Sequence, residues 1–173
     1  MVSLVRHPDT PPGAIQSIEA RLEREAGGFV ATYIVRGDLQ RLIVPPAADR
    51  VRTDNLWQTT CFEMFIGTGG EAYREFNFSP SGAWAAYDFT AFREGMCDAE
   101  ADVLLRTERN ADRLILVAHF RDEFPPLAPV GLTAVIEETD GQIRFWATSF
   151  EPGKPEFHAP GVRSLLLGEV EAE

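Results

Sequence analysis

Apolar and polar residues alternate with a period of two along most of this chain, in short runs punctuated by Gly, Pro, Asp and Asn. Successive side chains of a strand point to opposite faces, so such runs predict half-buried strands. Many of them in series predict an all-β fold, here an antiparallel β-sandwich. Residues 15–24 are ambiguous. Ile15, Ile18 and Leu22 suit a helix, whereas Ile18, Ala20 and Leu22 suit a strand. The Gly27-Gly28 pair and the alternating run 29–35 favour a hairpin, and so a strand. Residues 39–44 read as the next strand, closed by Pro45-Pro46, and 47–56 as a polar loop. Further strands are expected at 59–66, 103–108, 113–120 and 131–138. Pro125-Pro126 and Pro129 mark a long connection. Residues 151–161, rich in Pro and Gly, read as a structured loop before a terminal strand at 163–167.

Two hairpins can be registered from their turns. If Ser79-Pro80-Ser81-Gly82 is a four-residue turn, Phe78 faces Ala83 and Asn77 faces Trp84. One face then carries Phe76, Phe78, Ala83, Ala85, Tyr87 and Phe89 and belongs to the core. The other carries Tyr73, Glu75, Asn77, Trp84, Ala86 and Asp88. Asp140-Gly141 is a two-residue turn signal that sets Glu137 opposite Arg144, Val135 opposite Trp146 and Thr133 opposite Thr148. Its other face pairs Ile136 with Phe145 and Ala134 with Ala147, and is expected to share the core with Phe76 and Phe78. In residues 59–66, Phe62, Met64 and Ile66 share one side; Cys61, Glu63 and Phe65 share the other.

Composition narrows the function. The chain has 173 residues, 45% of them hydrophobic, which suits one globular domain spanning 1–173 and argues against wholesale disorder. The net charge is −11, from 27 acids against 16 bases. Phosphate backbones and anionic membranes demand a basic face, so neither nucleic acid nor membrane is expected as partner. No apolar run reaches the ~18 residues of a membrane span. The opening residues lack an apolar signal core, which suggests a cytoplasmic, reduced chain with Cys61 buried and Cys97 in a loop. There is no CxxC, HExxH, GxSxG or P-loop, so no metal site, catalytic nucleophile or cofactor is expected.

Three stretches carry a further pattern. They are Arg52-Thr-Asp-Asn-Leu-Trp-Gln-Thr-Thr-Cys-Phe-Glu-Met-Phe-Ile66, then Tyr73-Arg-Glu-Phe-Asn-Phe-Ser-Pro-Ser-Gly82 with Trp84-Ala-Ala-Tyr87, and later Ala134-Val-Ile-Glu137, Phe145-Trp-Ala147 and Lys154-Pro-Glu-Phe-His158. Together these resemble the DOMON-like bacterial proteins, which belong with the family 9 carbohydrate-binding modules. The resemblance covers most of the chain. It implies a β-sandwich ligand-binding domain whose relatives hold sugars or haem. In the secreted sugar-binding modules two aromatic residues sandwich a sugar. Trp57, Trp84 and Trp146 are the matching candidates, with the pair left open.

The candidate binding residues follow. A flat indole suits the C–H face of a sugar, and Trp84, with Tyr73, Glu75 and Asn77 on its expected face, is the leading stacking residue. Glu75, Asn77 and Arg93 would hold hydroxyls or a charged substituent. Trp146 beside Glu137, Trp57 at a loop end and His158 in the Pro-rich loop complete the set. Each has a plainer explanation: tryptophans are usually core, and Glu137 with Arg144 reads as a surface ion pair. The leading function is non-catalytic binding of a small polar ligand, a saccharide or glycoside. The alternatives are a glycoside-processing enzyme using paired carboxylates among Glu63, Glu75 and Glu137, or a haem-binding or protein-interaction module. Met96, Met64 and His158 are the side chains a haem would call on, and no haem is expected.

Overall fold

The computed structural model describes residues 1–170. In chain order its strands are β1 (Val2–Ser3), β2 (Val5–Arg6), β3 (Ile15–Glu25), β4 (Gly28–Gly37), β5 (Cys61–Gly69), β6 (Ala72–Phe78), β7 (Trp84–Phe89), β8 (Cys97–Asp98), β9 (Asp102–Arg109), β10 (Arg113–Arg121), β11 (Pro129–Glu137), β12 (Ile143–Ala147) and β13 (Leu165–Leu166). One sheet runs β1-β3-β4-β10-β9, the other β2-β12-β11-β5-β6-β7-β8, with β13 added beside β11. The strand pairings are antiparallel, and the two sheets pack as a β-sandwich. Among the described residues no helix is long and apolar enough to cross a membrane.

Alternation explains the first sheet. In β10, Leu114, Leu116, Ala118 and Phe120 point inward and are buried, while Ile115, Val117 and His119 face out. The ambiguous segment is a strand, β3, whose Ile18, Ala20 and Leu22 enter the core and whose hairpin to β4 turns at Ala26-Gly27. From the second sheet, Phe62, Met64, Ile66, Phe76, Phe78, Leu132 and Ile136 meet them. The Tyr33 hydroxyl crosses between sheets to donate to the Glu63 carbonyl at 2.6 Å.

The second sheet is covered on both faces. Its outer face carries a smaller apolar cluster, with Phe65, Tyr73, Ala85, Tyr87, Phe89 and Val135 lying under Phe157, Ala159 and Val162 of the late loop. This is why Cys61 through Gly67 of β5 are all buried and the segment reads as nearly continuous hydrophobe.

Three local expectations are corrected. Residues 39–44 are not a strand: Leu39–Arg41 form a single helical turn that buries Leu39 and Leu42 together, capped by the Asp38 carboxylate accepting from Gln40 N at 3.1 Å. The terminal strand shrinks to Leu165–Leu166 because Leu167 already begins a short helical turn. Both hairpin registers slip by one residue. Phe78 pairs with Trp84 and Asn77 with Ala85; Glu137 pairs with Ile143 and Val135 with Phe145. Each loop has three residues ending in a left-handed glycine, Gly82 (φ +101°) or Gly141 (φ +82°). The closing bonds run from Gly82 N to Ser79 O and from Gly141 N to Glu138 O. That is the three-residue turn with a glycine bulge. A one-residue slip exchanges the faces of the returning strand. Trp84 and Ala86 therefore pack with Phe76 and Phe78, while Ala85, Tyr87 and Phe89 move to the outer face. Likewise Trp146 enters the main core and Phe145 leaves it.

Candidate functional site

A cleft of about 750 Å³ opens on the outer face of the second sheet. Glu63 of β5, Glu75 of β6, Tyr87 of β7, Val135 of β11 and Phe145 of β12 line its floor. Three loops form its walls, through Asp54 to Trp57, Arg93 to Asp98 and Pro155 to His158. Strand register sets a polar row through that floor: Thr133 pairs with Glu63, and Glu63 with Asn77, and of the three Glu63 lines the cleft while its two neighbours lie buried beside it. All three side chains are buried, Asn77 completely. Yet Glu63 Oε1 and Thr133 Oγ1 find no hydrogen-bond partner among the described residues, and the Asn77 amide meets only the Glu75 carboxyl beside it, at the limit of a hydrogen bond. Native interiors rarely leave such atoms unpaired, at a cost of ~1–3 kcal/mol each.

A hydrogen-bond relay closes one end. Arg93 N donates to the Tyr73 hydroxyl at 3.1 Å, and Tyr73 Oη lies 2.8 Å from His158 Nδ1. The imidazole tautomer sets which of the two donates, and the other ring nitrogen, Nε2, faces Glu75 Oε2 at 3.7 Å. Two features hold the relay in place. Arg93 sits in the left-handed region (φ +54°) and its guanidinium grips Glu156 with two bonds of 2.9 Å. Glu156 Oε1 in turn accepts from His158 N at 3.0 Å. Below, the Tyr73 and Phe89 rings stack at 4.8 Å, and the Arg163 guanidinium covers Tyr73 at 4.5 Å.

Burial sets the charges. It pushes the Glu63 carboxyl well above the usual carboxylate range, with Glu75 adding repulsion. Burial also pushes Glu75 up to about 7, only partly offset by the Asn77 amide and Arg93. His158 is held down at about 4, first by burial and then by Arg93. Tyr87 donates to Asp54 at 2.5 Å, and burial with that carboxylate raises its pKa.

The sequence-derived candidates divide. Trp57, Glu75, Arg93 and His158 line the cleft. Trp57 is 54% exposed, because its helical turn packs Leu56 inward and turns the indole out. Tyr73 and Asn77 lie on the same face, Tyr73 through the relay and Asn77 in the floor row. Three candidates lie elsewhere. Trp84 packs against the main core beneath the Arg52 guanidinium, 5.3 Å from its ring. Arg52 also donates to the carbonyls of Ala86, at 2.9 Å, and Ala99, strapping β7 to the chain beyond β8. Trp146 is a core residue, 6% exposed. Glu137 stands outside the cleft, accepting from Thr59 Oγ1 at 2.6 Å. The expected Glu137–Arg144 pair is replaced by a buried network, in which Arg144 bonds Asp140 at 2.9 Å and lies 3.6 Å from Glu138. Tyr87, Phe145, Phe157, Glu156, Asp54 and Met96 were not foreseen as lining residues. For Glu156 a signal existed, two positions before His158 in the Lys-Pro-Glu-Phe-His segment.

Haem does not fit this donor set. His158 and Met96 share the cleft, but the His158 nitrogens face Tyr73 and Glu75. Met64 is buried in the opposite core.

An antiparallel β-sandwich with a polar and aromatic cleft on one sheet face is thus the class of protein defined. The same fold occurs in the crystal structure of a candidate carbohydrate-binding protein from Bacteroides uniformis, with a TM-score of 0.65 and 13% sequence identity, over 93% of this chain and 81% of that one. At that identity the likeness carries the fold and no residue roles. No protein-family model matches the sequence, and no curated protein matches it.

Proposed function

We propose that the cleft binds a small polar ligand, a saccharide or glycoside, without converting it. The observation that carries this is Glu63, a buried carboxyl that lines the cleft with an unpartnered oxygen, set in one row with the buried Asn77 and Thr133. Sugar hydroxyls donate and accept at once, which suits a carboxyl, an amide and a hydroxyl set side by side. Trp57 offers a flat surface at the rim, and the volume falls within the ~300–1,000 Å³ of small-molecule sites. The Bacteroides uniformis neighbour and the DOMON-like sequence pattern support the same choice. Glu63 and Glu75 rise from adjacent strands and bring two carboxyls to one floor.

A thermal-shift screen of mono- and oligosaccharides tests this, because a ligand of the native state raises its melting temperature. Trp84 and Trp146 lie outside the cleft, so a bound sugar is expected to change only Trp57 fluorescence. Trp57→Ala should keep the fold, abolish that change and weaken binding. If no saccharide raises the melting temperature, the reading fails.

A further inference from the structure

Resting on that reading, we propose that the ligand carries a protonated amine, as an amino sugar does, and that Glu63 and Glu75 receive its ammonium group at the cleft floor. The argument is one of acids without a cation beside a cavity. Among the described residues, five carboxyls line the cleft, from Asp54, Glu63, Glu75, Asp98 and Glu156, against the single guanidinium of Arg93. Three of the five are engaged. Asp54 accepts from Tyr87, Asp98 lies 3.3 Å from Arg52, and Glu156 holds Arg93 in a two-bond grip.

Glu63 and Glu75 are left with no cation of their own, although both are buried and Glu63 presents an unpartnered oxygen. The groups facing them come from every surrounding element. Cys61 and Phe65 belong to β5, Tyr73 and Asn77 to β6, Tyr87 to β7, Thr133 to β11 and Tyr33 to β4 of the facing sheet; Arg93, Glu156 and His158 come from the covering loops. Arg93 is the cation among them at neutral pH; Glu156 takes two of its donors in a bidentate grip, and its charge lowers the Glu75 pKa only in part. His158 is held neutral by its burial.

Two carboxyls so placed ionise together only if a positive charge arrives with the ligand. An ammonium has three donors, and this floor offers it the unpartnered Glu63 oxygen with the Glu75 carboxyl beside it. A sugar acid would bring a further negative charge to an already acidic wall. A neutral hexose would leave the carboxyls protonated and use them only as hydroxyl partners. Burial raises the pKa of both carboxyls, as it does where a buried carboxyl has no cation beside it.

Isothermal titration of the wild-type protein at pH 6 and pH 7.5 tests this. The probes are glucosamine, galactosamine and mannosamine, each beside its parent hexose and its N-acetyl derivative, with tris(hydroxymethyl)aminomethane as a polyhydroxylated amine that is not a sugar. At least one amine is expected to bind about tenfold or more tighter than its neutral counterparts, a gap of ~1.4 kcal/mol. Its binding should release protons and tighten from pH 6 to 7.5. The gap should close in Glu63→Gln and Glu75→Gln. If a parent or N-acetyl hexose binds as tightly as its amine, the amine inference is overturned and saccharide binding stands. If tris(hydroxymethyl)aminomethane binds and no sugar does, the saccharide reading falls and the amine site stands. If no probe binds, both fall.

Discussion

Glu75 and His158 face each other across 3.7 Å, and burial displaces their pKa values in opposite directions. The consequence for stability is specific. Glu75 moves from 4.5 in the unfolded chain to about 7, so between those values the folded state keeps a proton that the unfolded state has lost. Its contribution to stability is therefore present below pH 4.5 and declines as pH rises towards 7. His158 moves from 6.5 down to about 4, so in that window the unfolded chain binds a proton that the folded state refuses. Its contribution is present above pH 6.5 and declines as pH falls towards 4. At ~1.36 kcal/mol per pH unit, each displacement is worth about 3 kcal/mol over its window. The two slopes oppose one another between pH 4.5 and 6.5 and largely cancel in the wild type. Single variants expose them. Relative to wild type, Glu75→Gln should gain about 3 kcal/mol between pH 4.5 and 7, and His158→Gln should gain a similar amount between pH 6.5 and 4. Glu63 shares the titration of Glu75, so Glu63→Gln belongs in the same series. The assay is urea denaturation at half-unit pH steps, read as the difference from wild type, which removes the background of the other carboxylates. Parallel wild-type and variant profiles would refute the reasoning, because they would mean that both groups titrate as they do in water.

Two further predictions concern the scaffold. Trp84→Ala should cost roughly 3 kcal/mol, near the lower end of aromatic truncations because the ring is only partly buried, and should leave ligand affinity unchanged. A loss of affinity with no loss in denaturant midpoint would return Trp84 to the site. Arg144→Met should cost about 3–5 kcal/mol, since it strands the Glu138 carboxylate, 1% exposed, without its cation. It also removes the bonds from Arg144 to the Pro11 and Pro12 carbonyls, so protease cleavage near residues 11–14 should rise. A cost under ~1 kcal/mol would show that the network is not needed.

The sandwich was legible because strand burial leaves a period-two trace that survives without tertiary context. Strands β3, β4 and β10 bury every second residue, and even β5, buried on both faces, kept its two sides distinct through Glu63. Residues 39–44 failed that test for a local reason. Leu39 and Leu42 are three apart, the spacing of one tight helical turn, and Asp38 stands where a cap belongs. The walls of the cleft were legible only in pieces. Arg93, Trp57 and His158 each come from a loop, and nothing in a loop's own sequence states which sheet face it will cover.

The hairpins explain the division of the floor. In both, the strand before the turn was placed on its correct faces, because parity along a single strand does not depend on the turn that follows. Tyr73, Glu75 and Asn77 of β6 and Thr133, Val135 and Glu137 of β11 do share the outer face. The strand after the turn inherits its parity from the loop length. Ser79-Pro80-Ser81-Gly82 and Asp140-Gly141 suggest four and two residues, whereas both loops use three and end on a glycine with positive φ. That single extra or missing residue exchanged Trp84 for Tyr87 and Trp146 for Phe145 on the cleft face. The carboxyls of the floor stand on β5 and β6, ahead of a misjudged turn, and the floor's aromatic surfaces stand on β7 and β12, behind one. The hydrogen-bonding chemistry was therefore readable from strand parity alone, while the ring surfaces beside it depended on a turn geometry that two dihedral angles decide.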